Sequence, residues 1–417
     1  MANPLRSLAD LPEKEILLEW YRNQNTTGKL LVNNHIHSPY SFSAFNSLQE
    51  AFEMAARQKI QVLGLNDFFV ADGYDEFWKL ALKYSCFPLF NIEFIGLLQE
   101  EQKNNIRIND PNNPGRTYFS GKGLDYPFHQ SFFKRRAVRK LRKESQNQVK
   151  QMIQKTDALL KALNPSLSLT YEDIRKELAR ELVRERHIAK ALRILMHKHY
   201  TTQEQQSAFL TELYGGKASK VDPSDNAALE NELRGALLKS GGRAFVEENP
   251  DAFLPLDKII SIIRDAGGIP CYPVLLDDKN GTYTEFEQDA EKLCKSLQMM
   301  NVHCIELIPG RNDNSILEKF VRYFHSQDFI ISFGTEHNAP DMIPLTVTAR
   351  GKKELSADVE AIGVEGACVV AAHQYLRAKG HQGYIYKCGT WAIDRKEEFA
   401  SLGKAVINYF LVEGKNA

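Results

Sequence analysis

Two histidines one residue apart, His35-Ile36-His37, follow the run KLLVNN. If that run is a strand, alternate residues point to one side, and two neutral imidazoles on one side are a natural ligand pair for one metal ion. Alone, such a pair is a weak signal. Further acids and imidazoles stand at the ends of other apolar runs: Asp67 after IQVLGLN, Glu93 late in PLFNIEFI, Glu306 within VHCIELI, and Glu336-His337 after FIISFGT. Carboxylates and imidazoles at the ends of several parallel strands are what a metal centre in a barrel mouth requires. An acid after a strand also caps the next helix, and that second reading stays open for Asp67 and Glu306.

The elements that must position these residues alternate. Strand patterns at 29–34, 60–65 and 88–95 are separated by a helix opened by Ser47 and Glu50 and by another around 78–84. The alternation stops near residue 100 and resumes near 256 with LDKIISIIRDAGG, a helix closed by glycine. IPCYPVLL, a helix around 285–300, the strand 302–308, a helix around 315–326 and the strand FIISFG follow. Parallel strands need helix-length crossovers, and this count suits an α/β barrel. Residues 8–24 read as one N-terminal helix. Between 100 and 249 the pattern is helical: 131–163, then 171–199 with Thr170 and Asp173 as a capping box, then 202–213. The reading is therefore a barrel in two parts, 1–99 and 250–417, interrupted by a helical cap at 100–249. Helices at 356–379 and 396–412 close the fold.

Composition narrows the function. The 417 residues carry 53 Lys plus Arg against 53 Asp plus Glu, so no net charge pulls the chain toward nucleic acid or membrane. KRRAVRKLRK (134–143) is a basic run without interleaved aromatics, read as a solvated helix face. No apolar run approaches the roughly 20 residues that span a bilayer. The charged start, MANPLRSLADLPEKE, lacks the apolar core of an export signal. Six scattered cysteines form no C-x-x-C pair, so buried thiols in a reducing cytoplasm are expected. Tyr214-Gly215-Gly216-Lys217 reads as a turn.

Taken together, Asn33-Asn34-His35-Ile36-His37, Asn66-Asp67-Phe68, Glu93, Gly267-Gly268 leading to Cys271-Tyr272-Pro273, and Gly334-Thr335-Glu336-His337-Asn338 resemble the motif series of the polymerase and histidinol phosphatase (PHP) family of metal-dependent phosphoesterases. Within the middle segment, Arg186-His187-Ile188-Ala189 is similar to a motif of the family branch that carries a helical insertion, and Ala244-Phe245-Val246 to that insertion's exit. The resemblance implies a distorted (β/α)7 barrel. The family holds three metals. Here the first metal's ligands all have counterparts: His35, His37, Glu93 and Glu336. Positions that feed the other two hold Phe42, Phe68, Tyr272 and Asn338, which lack imidazole or carboxylate donors.

The resemblance thus implies one divalent ion per chain, zinc, manganese or iron, in a hydrolase that acts on a small anionic substrate, most simply a phosphoester. Asp67, His337 and Tyr272 are the expected catalytic helpers; Arg184, Arg186, His187 and Arg243 are the expected substrate-binding residues. Glu185 stands where the family places an arginine. The rival readings are a metal-dependent sugar isomerase or lyase on the same site, and a catalytically silent PHP-like domain that binds a ligand. Neither nucleic acid nor membrane is an expected partner.

Overall fold

The computed structural model describes residues 5–24 and 28–414. Eight strands form one sheet: β1 (Val32–Ile36), β2 (Val62–Phe68), β3 (Phe87–Leu97), β4 (Arg116–Lys122), β5 (Leu254–Pro255), β6 (Ile269–Val274), β7 (Cys304–Leu307) and β8 (Ile330–Phe333). Their order is β1-β2-β3-β4-β6-β7-β8, with β5 paired to β3. The pairs β1–β2, β2–β3, β6–β7 and β7–β8 are parallel, and helices make the crossovers that parallel pairing needs. The sheet curls until its ends meet. Ile36 bridges Glu336: the His37 N–H donates to the Glu336 carbonyl and the Glu336 N–H to the His35 carbonyl, each at 2.8 Å. The result is a nearly closed α/β barrel.

The first crossover shows how the sequence produces these elements. In Leu48–Arg57, Leu48, Ala51, Phe52 and Ala55 repeat at helical spacing and are buried, and the Ser47 side chain accepts from the Glu50 N–H. The N-terminal segment is divided rather than continuous, into a turn at Leu8–Asp10 and a helix at Lys14–Arg22. Pro12 biases Leu11 to the extended backbone it adopts. Helices Ala357–Ala378 and Lys396–Glu413 close the barrel's outer layer. No helix among the described residues is long and apolar enough to cross a membrane. The cysteines are unpaired, five of them buried, and Cys388 is exposed.

The stretch 100–249 is mostly helical, with helices at Phe132–Leu163, Tyr171–Leu178, Glu185–His199, Gln203–Leu213 and Asn226–Leu233. Val149, Ile153, Leu160, Ile188, Leu192, Met196 and Leu210 form a core cluster separate from those of the barrel. Gly215 and Gly216 have φ of +74° and +91°, as a glycine turn requires. One part of this stretch corrects the sequence reading, because β4 is a barrel strand inside it. β4 runs antiparallel to both neighbours, β3 and β6, and so joins the two halves of the barrel. Its outward Gly121 lies so close to the helix Leu256–Asp265 that an added Cβ would meet Ile263 at 2.8 Å. Its other face, Ser120 and Lys122, is polar and fully buried.

Candidate metal centre

His35 and His37 extend from the end of β1 into the barrel, both essentially inaccessible. Their Nε2 atoms are 3.2 Å apart, and His37 Nε2 is 3.4 Å from a carboxylate oxygen of Glu93 on β3. The three side chains form the one group of metal-ligating residues found among the described residues, with ligand atoms all within 4.8 Å of one another. Burial, then the nearby acids Glu336 and Glu306, raise the Glu93 carboxyl well above the ordinary range, although Lys122 and Arg184 oppose this. His37 is held well below its usual range by burial and then by its neighbours His35, Arg184 and Lys122. Its Nδ1 has no hydrogen-bond partner. Two converging imidazoles and an under-compensated buried carboxylate suit a divalent ion of the zinc, manganese or iron type.

Around this cluster lie groups that hold its members in place. Glu306 on β7 places one carboxylate oxygen 2.9 Å from His35 Nδ1 and gives the other to the Lys122 ammonium. Burial alone would raise the Glu306 carboxyl, but His35 and Lys122 bring it down to about 2. Asp67, at the end of β2, accepts from the Ser38 N–H at 2.7 Å, the Ser41 hydroxyl at 2.6 Å and the Ser38 hydroxyl. It stands 3.9 Å from His37 Nδ1, and burial pushes it up to about 6. Phe68 stacks on His37 with ring centroids 5.1 Å apart.

Other expected site residues fall elsewhere. The Glu336 side chain pairs with Arg311 and is not in the three-residue group, while its main chain, at φ +64°, closes the barrel. His337 has both ring nitrogens engaged: Nδ1 with the Thr335 hydroxyl at 2.8 Å and Nε2 with the Ile343 carbonyl at 2.9 Å. It therefore pins its loop. Tyr272 is buried on the face of β6 that pairs with Ile305, opposite Glu306, and its hydroxyl donates to Glu287 at 2.7 Å. It faces the helices and is no oxyanion donor.

The insertion reaches the mouth through the start of its helix Glu185–His199. The Arg184 guanidinium lies over the Phe68 ring at 4.5 Å, and that of Arg186 over Phe42 at 5.7 Å. Burial, then Arg234, lower Arg186 to about 10. His187 Nδ1 accepts the Arg184 N–H at 2.9 Å and its ring meets Phe42 edge-on, so it shapes the helix start. Glu185 pairs with Arg234 and Lys239. Arg243 instead donates to the Glu212 and Leu213 carbonyls at 3.1 and 3.0 Å, the open C-terminal end of a helix. A polar hollow of about 280 Å³ lies in the insertion, lined by Glu144, Gln148 and Gln151 among others, away from the cluster.

No protein-family model matches the chain, and no curated protein matches it in sequence. Among solved structures, a protein of Bifidobacterium adolescentis provisionally described as a metal-dependent phosphoesterase superposes with a TM-score of 0.51 at 15% identity, over 80% of this chain and 94% of that one. An amidohydrolase of Chromobacterium violaceum, solved with sulfate and no metal, gives 0.48 at 16% identity, over 79% and 96%. The first likeness shows that the barrel is shared with that protein.

Proposed function

We propose that this chain is a metal-dependent hydrolase of the PHP type, with a reduced centre for one divalent ion, acting on a small anionic substrate, most simply a phosphoester. The observation that carries the reading is the convergence of His35, His37 and Glu93 inside the barrel. The shared barrel of a protein described as a metal-dependent phosphoesterase supports it. His35, His37 and Glu93 would hold the ion, and Glu336 would complete the set by leaving Arg311. When bound there, a divalent ion would supply Lewis-acid chemistry to an oxygen of substrate or water.

The chain's own residues do the rest. Glu306 fixes the His35 ring through Nδ1, leaving Nε2 toward the cluster. Asp67, saturated by Ser38 and Ser41, holds the loop beside His37 and serves as a positioning residue. Arg184 and Arg186 present guanidiniums at the mouth, and a guanidinium suits an anion's oxygens. We assign the described residues of 1–99 and 250–417 to the barrel, together with β4, and the remaining helical part of 100–249 to a cap that sets specificity. The test is elemental analysis of purified chain grown with ample zinc, manganese and iron, followed by a screen of phosphate esters. About one ion per chain and metal-dependent phosphate release are expected; no bound ion and no release would overturn the reading.

A further inference from the structure

β4 carries into the barrel a charge that the proposed chemistry does not use. Lys122 is fully buried. Its ammonium meets the Glu306 carboxylate, and the Asn34 carbonyl and Asn66 Oδ1 at 3.4 Å each. An oxygen-lined position that includes a carboxylate is the kind a small hard cation occupies. Here the occupant is the chain's own –NH₃⁺, whose three donors face those three oxygens. The position adjoins the cluster directly: the second Glu306 oxygen is 2.9 Å from His35 Nδ1 and 3.3 Å from the Ser120 hydroxyl, and Asn66 Nδ2 approaches the His35 ring at 3.0 Å.

We propose that Lys122 fills a second cation position beside the His35–His37–Glu93 cluster, and that this fixed charge holds the centre to one divalent ion. The proposal rests on the reading of the cluster as a metal centre. Lys122 acts as a positioning residue, through Glu306 on His35. Removing one partner of a buried pair leaves the other uncompensated, at high cost. A chain without the ammonium would therefore recruit a cation to Glu306, Asn66 and the Asn34 carbonyl. A chain without the Glu306 carboxylate would keep an unbalanced positive charge next to the proposed ligands.

The experiment is Mn²⁺ titration of chelator-treated full-length chain, read by calorimetry and by electron paramagnetic resonance. The wild type is expected to take about one ion and Lys122→Met about two, with a spin-coupled signal from the neighbouring pair. Lys122→Arg, which keeps the charge, and the double variant Lys122→Met/Glu306→Gln, which removes both charges, are expected to return to one. A folded Lys122→Met chain that binds one ion with unchanged affinity overturns the proposal. Should that variant fail to fold, Glu306→Gln is expected to weaken Mn²⁺ binding about tenfold, on the scale of second-layer changes around metals; unchanged affinity overturns the proposal. Absence of Mn²⁺ from the wild type and every variant alike overturns the metal reading itself, a result distinct from one ion in all of them.

Discussion

Phe68 lies nearly parallel to His37, their planes 5° apart, and carries the Arg184 guanidinium over the same ring. One side chain thus couples a proposed metal ligand to a proposed anion-binding group. Phe68→Leu keeps an apolar filler but removes the π face. Cation–π contacts contribute about 1 kcal/mol. The expected outcome is a severalfold weaker affinity for an anionic ligand such as inorganic phosphate, with little change in melting temperature. Phe68→Ala should cost about 3 kcal/mol of stability through the cavity it opens. Calorimetric phosphate titration and denaturant unfolding separate the two effects.

Glu93→Gln is expected to change two quantities in opposite directions. Burial beside Glu306 and Glu336 makes the Glu93 carboxylate costly without a bound cation. The amide removes that cost, so the metal-free variant should melt no lower than metal-free wild type at pH 8. The same change removes the charge that favours a divalent ion, so Zn²⁺ or Mn²⁺ affinity should fall at least about tenfold. Paired melting curves with and without metal check both.

Much of the barrel was legible because its strands and helices carry clean periods, and the helix Leu48–Arg57 even announces its cap. β4 was not. Its interior-facing residues, Ser120 and Lys122, are polar and meet Glu306, so the strand does not show the apolar alternation of a half-buried strand. Lys122, which lies on this strand, therefore carries no periodic signal of its own. The histidine pair stood out by its place at the end of β1 and Glu93 as an acid inside an apolar run, and the structure brings the three together. Tyr272 shows the limit of motif matching: a residue in the right place in a motif still has a face, and the register with β7 turns this one toward the helices. Likewise, no sequence signal separates an arginine that waits for a ligand from one that closes a helix, as Arg243 does.

Arg184 and Arg243 should therefore respond differently to truncation. Arg184→Ala is expected to raise the KM for an anionic substrate, or the dissociation constant for phosphate, while leaving stability nearly unchanged. Arg243→Ala removes two hydrogen bonds to the carbonyls of Glu212 and Leu213. Its expected effect is a stability loss of about 1–2 kcal/mol with anion affinity intact. Loss of anion affinity in Arg243→Ala alone would refute this assignment.

The pairing of Tyr272 with Glu287 should leave a pH signature away from the metal cluster. Glu287 is buried and accepts from the Tyr272 hydroxyl and the Leu275 and Leu276 N–H groups, yet burial outweighs these donors and lifts its carboxyl to about 7. A carboxyl whose folded pKa exceeds its unfolded one binds its proton more tightly in the folded chain. Its contribution to stability is therefore present below about pH 4.5 and is lost as pH rises through about 7. The lost amount is on the order of 3 kcal/mol at full ionisation. Glu287→Gln does not titrate. The difference in unfolding free energy, wild type minus variant, should accordingly fall between pH 5 and pH 8, when both chains are metal-free. A difference that stays flat across that window would show that Glu287 ionises in its ordinary range, and that its three donors offset its burial.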